Sequence, residues 1–311
     1  PTHLIMAQAL GREYKVAESL AVSLSAARNL GVFPRRFYLF HAVNDFIRIK
    51  DFLKNNTDED ILNLPILQDP KILMAIRFIG EIGVRSFYTG DMVQCLVQAL
   101  KQIRIIMRYG ISPRSPLVFA TLGMIFDTTK DRNLAMRCAD IAHKLLRIVG
   151  GPEDIAWVHV VTSGAIYVSS EPHSKCIKGL EKGYSLGMES GNFELGLVNL
   201  QCSKVLAFYF GCKLQPLVGS LENVLKQYQV YNIKMNDDAS VALLMVSQYL
   251  TGGQPIDWDD IKGHTQQDLK KRGSDANRLL ARYPALLVPT ILLRKYELAQ
   301  QMTKLYYGLP D

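Results

Sequence analysis

The residues whose type and spacing come nearest to chemistry are carboxylates, grouped as Asp257-Trp258-Asp259-Asp260 and Asn236-Asp237-Asp238. Clustered acids hold divalent cations, and all-α isoprenoid enzymes use them to grip a magnesium–diphosphate. That work needs acids repeated along one helix face, as in DDxxD, and neither cluster has this spacing. Both fall beside expected chain breaks, where an acid serves as a helix N-cap. The histidines, His3, His41, His143, His159, His173 and His264, are spread along the chain. His143 follows Asp140 by one helical turn, the spacing an acid–base dyad would use. His159, between Trp157 and Val160, reads as an ordinary residue of an apolar helix. The phosphate loop GxxxxGK[ST] and the HExxH, kinase-loop and GxSxG patterns do not occur, nor does a histidine phospho-acceptor box. The sequence therefore gives no catalytic, cofactor-binding or metal-ligating residue.

One further group invites a function. Lys101, Arg104 and Arg108 form a basic ridge on one helix, while Arg35-Arg36 and Lys270-Lys271-Arg272 lie near turns. The ridge reads as a solvated face, or as a docking surface for an acidic partner or a neighbouring domain. Basic residues are otherwise scattered and the net charge is a mild +7. No aromatic platforms interleave with them, so nucleic acid is not the expected partner.

The elements that carry these residues are helices. Apolar residues make up 48% of the 311 and charged residues 21%, the composition of a folded chain. The longest apolar run, Tyr283 to Leu293, carries Pro284 and Pro289. It falls well short of the roughly 18 residues needed to span a bilayer. Cys95, Cys138, Cys176, Cys202 and Cys212 have no close CxxC pairing, and each sits in an apolar helical setting as a small hydrophobe. This pattern points to a reducing, cytoplasmic setting. The chain opens without an initiator methionine, inside an expected helix, and reads as a piece of a longer protein.

Chain breaks recur in two interleaved series. One falls near Gly11, Asn55-Asn56, Gly90, Asp131, Pro172, Gly211, Gly252-Gly253 and Arg294. The other falls near Gly31, Asp69-Pro70, Gly110, Gly150-Gly151, Gly191, Tyr231 and Gly273. A period of about 40 residues with a break at half that interval describes antiparallel helix pairs, the pattern of α-solenoids. Val93, Leu96, Val97, Leu100, Ile103 and Met107 form an apolar stripe opposite the basic ridge. Ser112-Pro113 and Ser115-Pro116 offer N-caps followed by proline. Gly31, Gly110, Gly150 and Gly191 stand where helices should end in a left-handed conformation. Aromatic–small pairs follow several breaks: Tyr14/Ala17, Phe193/Gly196, Tyr296/Ala299 and, more weakly, Met92/Cys95. A large knob one turn before a small hole lets paired helices approach, as in tetratricopeptide arrays, although the period exceeds the roughly 34 residues of that class.

A resemblance rests on short segments in a fixed order. Gly31-Val32-Phe33-Pro34-Arg35 closes a helix that begins Gly11-Arg12-Glu13-Tyr14. There follow Asp60-Ile61-Leu62-Asn63-Leu64-Pro65, Asp69-Pro70 and Leu73-Met74-Ala75-Ile76-Arg77. Tyr109-Gly110-Ile111-Ser112-Pro113 and Gly187-Met188-Glu189-Ser190-Gly191-Asn192-Phe193-Glu194 come later. In this order they resemble the helical-repeat region of large multidomain signalling proteins. Those proteins join a serine/threonine-kinase-like domain, an AAA/STAND-type ATPase, such a superhelix, a GAF domain and a sensor histidine kinase. Asn192 and Ile111 depart from the pattern, where Asp and Asn are usual, and the stretch 253–273 matches poorly.

The expectation is a single all-α segment over 1–311, a superhelical tetratricopeptide-like solenoid with an irregular stretch at 253–273. The resemblance implies a non-catalytic scaffold that binds protein domains, in cis or in trans, or a small-molecule effector. An all-α enzyme with a central cavity and a nucleic-acid-binding repeat are the alternatives.

Overall fold

Breaks at intervals of about 20 residues, with apolar positions three and four apart between them, leave room for helices of about five turns. The computed structural model describes residues 2–12, 15–31, 38–88, 91–233, 237–253, 255–259, 261, 286–287 and 289–307. Every regular element among them is helical, and the one pairing of extended backbone is an isolated bridge between Ile66 and Ile111. No helix among the described residues is long and apolar enough to cross a membrane. The chain divides into two compact units, Pro1–Ser170 and Glu171–Asp311.

The N-terminal unit holds α1 (Thr2–Arg12), α2 (Val16–Asn29), α3 (Tyr38–Asn55), the short α4 (Asp58–Leu62) and α5 (Pro70–Tyr88). After these come α6 (Met92–Tyr109), α7 (Ser115–Thr128), α8 (Arg132–Ile148) and α9 (Pro152–Val161). Helix α9 runs on through a π-helical turn, Thr162–Ile166, and a 3₁₀ turn, Tyr167–Ser169. Neighbours pack as pairs: α1 with α2, α5 with α6, and α7 with α8. Joined by short turns, paired helices run antiparallel. Further packing of α2 on α5, α6 on α7 and α7 on α9 links pair to pair. The core gathers Ile49 and Leu53 of α3, Ile76 of α5, Leu100, Ile103 and Ile106 of α6, Phe119 and Phe126 of α7, and Ile141 and Leu145 of α8.

The C-terminal unit repeats the scheme with α10 (His173–Glu189), α11 (Phe193–Tyr209), α12 (Leu214–Val230) and α13 (Asp237–Leu250). Helix α14 (Tyr296–Tyr307) follows the mostly undescribed stretch that includes the expected irregular segment. Here α10 pairs with α11 and α12 with α13, while α11 also packs on α12 and α13. The pairing phase therefore differs between the units. Pairs close across the Gly90 and Asp131 breaks in the first unit, and across Gly191 and Tyr231 in the second.

Local chemistry explains the boundaries. Asp91, Asp131 and Asn192 cap α6, α8 and α11 by accepting the backbone N–H groups of Gln94, Leu134 and Leu195. Asp69 accepts from Lys71 N at 2.8 Å and Ile72 N at 3.3 Å, just before Pro70 opens α5. Helix α7 begins one residue away from expectation. Arg114 is its N-cap, and Ser115 Oγ instead accepts the Ser112 N–H at 2.8 Å. Gly31 and Gly191 end their helices at φ near +75°, as expected, but Gly150 does not adopt positive φ. Gly110 also has positive φ, +101°, but its ψ of −176° puts it outside the left-handed helical region, in space open essentially to glycine alone. Small residues bring paired helices together. A Cβ on Gly196 of α11 would lie 3.3 Å from Tyr184 O of α10, and one on Gly123 of α7 would lie 3.0 Å from Ala135 O of α8.

Candidate interaction surface and buried polar seam

The basic ridge on α6 resolves into three different situations. Arg104 donates from Nη1 to Asp45 Oδ1 of α3 at 2.8 Å, and the Asp45 side chain is only 8% exposed. Arg104 thus ties α6 to α3 and is spent within the fold. Lys101 is half-buried, whereas Arg108 is exposed with its guanidinium 5.1 Å from the centre of the Tyr109 ring. The apolar stripe opposite is buried at Val97, Leu100 and Ile103, while Val93 stays 46% exposed.

Periodicity did not reveal a second, polar lining of the same helix. Gln98 and Gln102 of α6 are buried, as are Glu81 and Ser86 of α5. Gln102 donates to the Ile76 carbonyl at 3.0 Å, across the α5–α6 pair. Two ion pairs sit in this seam. Arg85 donates to Glu81 at 3.2 Å, and Gln8 of α1 reaches the other Glu81 oxygen at 3.3 Å. Arg114, at the start of α7, donates to Asp154 in the first turn of α9, whose side chain is 2% exposed. The Arg114 and Gln102 heads lie over Gly80, where a Cβ would come within 3.0 Å of each. Buried charge is costly unless paired and hydrogen-bonded. The seam therefore fixes how α1, α5, α6, α7 and α9 fit together rather than adding free surface. Its sequence signal was the Gly80-Glu81-Ile82-Gly83 run, two glycines and an acid inside an apolar helix.

A third polar junction holds the end of α3. Arg137 of α8 donates to the Leu53 carbonyl, to Asn56 O at 2.6 Å and to Asp58 Oδ1 at 2.8 Å. Lys144 takes the other Asp58 oxygen at 2.8 Å. A cation here satisfies carbonyls that the helix end leaves open. Burial pushes the Asp58 carboxyl upwards, but hydrogen bonds from Lys144 and Arg137, reinforced by their charges, outweigh it and hold the group below its ordinary 3.8. A carboxylate depressed in the folded state adds stability above its unfolded value, and that stability is lost as pH falls through the folded value. Asp58→Asn should accordingly cost about 1 kcal/mol near neutrality. The difference from the parent should shrink at a pH below 3.8, as the carboxylate protonates through its depressed folded value. Urea unfolding of both proteins at the two pH values measures it.

Two of the histidines, His143 and His159, meet at the π-turn. Thr162 Oγ1 donates to Val158 O at 2.7 Å, so in its 3.0 Å contact with His143 Nε2 it is the acceptor and Nε2 carries the proton. Tyr167 donates from its hydroxyl to Asp140 Oδ1 at 3.1 Å. The His143 ring stacks on Tyr167 and meets the buried His159 ring edge-on at 5.1 Å. In the C-terminal unit, His173 stacks on Phe210. Of the acidic clusters, Asp257 accepts the Asp259 N–H at 3.1 Å, a cap-like role. Trp258 packs against the core beneath Lys295. Asn236, Asp260, His264 and 270–272 lie outside the described residues, as do Arg35 and Arg36. Among the described residues no group of three or more His, Cys, Asp or Glu side chains is arranged to hold a metal ion. Cys138 is fully buried and its thiol is pushed far up, chiefly by that burial.

No family model matches the chain, and neither a curated protein nor a solved structure matches it.

Proposed function

We propose that the chain is a non-catalytic interaction and regulatory scaffold, a tetratricopeptide-like superhelical segment of a cytoplasmic multidomain signalling ATPase–kinase. The observation that carries this reading is the packing order: sequential antiparallel pairs, each linked to the next, in both units. Such stacking exposes extended helix faces and concentrates partner recognition there. The charged groups at the described helix junctions, Arg104, Arg114 and Arg137, support the same reading because they fasten helices to one another. The ordered segments from Gly11 to Glu194 that resemble ATPase–kinase repeat regions supply the signalling context. The scaffold then acts by favouring one arrangement of the neighbouring domains over another. Of the ridge Lys101, Arg104 and Arg108, the exposed Arg108 with the half-buried Lys101 beside it is the part proposed to meet an acidic partner surface or effector.

Calorimetry of this chain against AAA/STAND-type ATPase and histidine-kinase domains of its own protein, with and without nucleotide, tests the proposal. The expected result is nucleotide-dependent association, weakened about ten-fold by Lys101→Glu with Arg108→Glu. A folded chain that binds neither domain overturns it. Binding of RNA or DNA with a steep salt dependence would do the same.

A further inference from the structure

The segment 152–169, like α3, stands outside the sequential pairs of the N-terminal unit and lies along α7 and α8. Its hold on them is unusual. Thr162 and Tyr167, five positions apart, both reach the same side of α8, at His143 and at Asp140, which are one turn apart. In an α-helix residues five apart point about 140° away from each other, so both could not reach α8. The π-turn closes that gap. Its Tyr167 N–H bonds to Thr162 O, five residues back, which stacks the two side chains on one face. Between the two ties, Ile166 fills the notch left by Gly123, its Cδ1 2.8 Å from where a Cβ would stand. Upstream, Asp154 anchors the segment to Arg114.

We infer that residues 162–169 form a two-register strap, latched in the π form by the His143–Thr162 and Tyr167–Asp140 hydrogen bonds and able to relax into a continuous α-helix when a latch opens. The two registers differ by one residue per turn, and in the α form Tyr167 swings off α8. Tyr167–Asp140 is the outer latch, at the solvent edge, while His143–Thr162 lies deeper. Gly164 and Ala165 within the turn have no bulky side chain to resist the change. The inference stands on this segment's geometry and is independent of the scaffold reading.

Amide hydrogen exchange of the full chain, followed by mass spectrometry, tests it. Tyr167→Phe removes the hydroxyl of the outer latch and keeps the ring that stacks on His143, so exchange over 162–170 should quicken about five-fold, the factor for one intramolecular hydrogen bond. Protection in α7 and α8 should stay unchanged. Deletion of Gly164 provides the second arm. It leaves Thr162 and Tyr167 four apart, so an ordinary α-helix presents both to α8. The shortened chain should fold, keep its thermal midpoint, and exchange slowly over this segment even when Tyr167→Phe is added. Unchanged local exchange in Tyr167→Phe, quickening spread evenly through the unit, or loss of the fold on deleting Gly164 would each overturn the inference.

Discussion

Gly110→Ala should destabilise the N-terminal unit by at least about 3 kcal/mol. At φ +101° and ψ −176°, Gly110 occupies backbone space essentially closed to other residues. Crowding adds to the strain, since a Cβ there would stand 1.8 Å from the Pro65 carbonyl oxygen and 2.8 Å from its carbon. Relief requires moving the 63–69 connection away from α6, which breaks the Ile111 N–Pro65 O and Leu67 N–Ile111 O bonds, both 2.8 Å. Gly31→Ala is the control. It also has positive φ, +76°, but nothing lies within 4 Å of its added Cβ. Backbone strain alone should then cost about 1–2 kcal/mol. Chemical denaturation followed by circular dichroism separates the two. Equal losses would show that the clash with Pro65 relaxes freely.

Arg114→Met should cost a comparable amount, about 3–5 kcal/mol, because it removes the cation paired with the buried Asp154 carboxylate. The companion change defines the cause. With Asp154→Leu added, the buried charge disappears and most of the loss should return. A double-mutant cycle measured by denaturant unfolding gives the coupling. If both single variants prove nearly neutral and additive, the pair does not hold α7 to α9 as described. Gly80→Ala offers a gentler probe of the same seam, since its Cβ presses on the Arg114 and Gln102 heads from below.

These positions show where the sequence was readable. The helices were, because apolar spacing and chain breaks act locally: the breaks at Asp69 and Asp131 stand at helix starts, and Gly31 and Gly191 end helices with positive φ, although the expected caps Ser112 and Ser115 give way to Arg114. The neighbouring pairing was too, since short turns leave little choice of partner. The phase of pairing was not, because the interleaved break series fit either choice, and only packing selects Gly90 and Asp131 in one unit and Gly191 in the other. The basic ridge was legible as a helix face, but Arg104 belongs to Asp45, 59 positions earlier. Arg137 and Arg114 carry no sequence signal for the same reason. Their partners lie 79 and 40 positions away, beyond any periodic signal. Gln98 and Gln102 break the apolar pattern of α6, and a pattern search reads such residues as outward-facing. The π-turn has no compositional mark, since it arises from two anchors on another helix.

The bridge between Ile66 and Ile111 bears on the order in which the chain assembles. Helix pairs such as α7 and α8 join near neighbours, and such local contacts form fast. The bridge instead closes a loop spanning α5 and α6, from position 66 to position 111. Its two short hydrogen bonds repay little of the closure entropy until the intervening pair has condensed. The bridge is therefore a late clasp. It slows unfolding more than it speeds folding, and gives this unit a kinetic persistence that its local helix pairs would not supply alone.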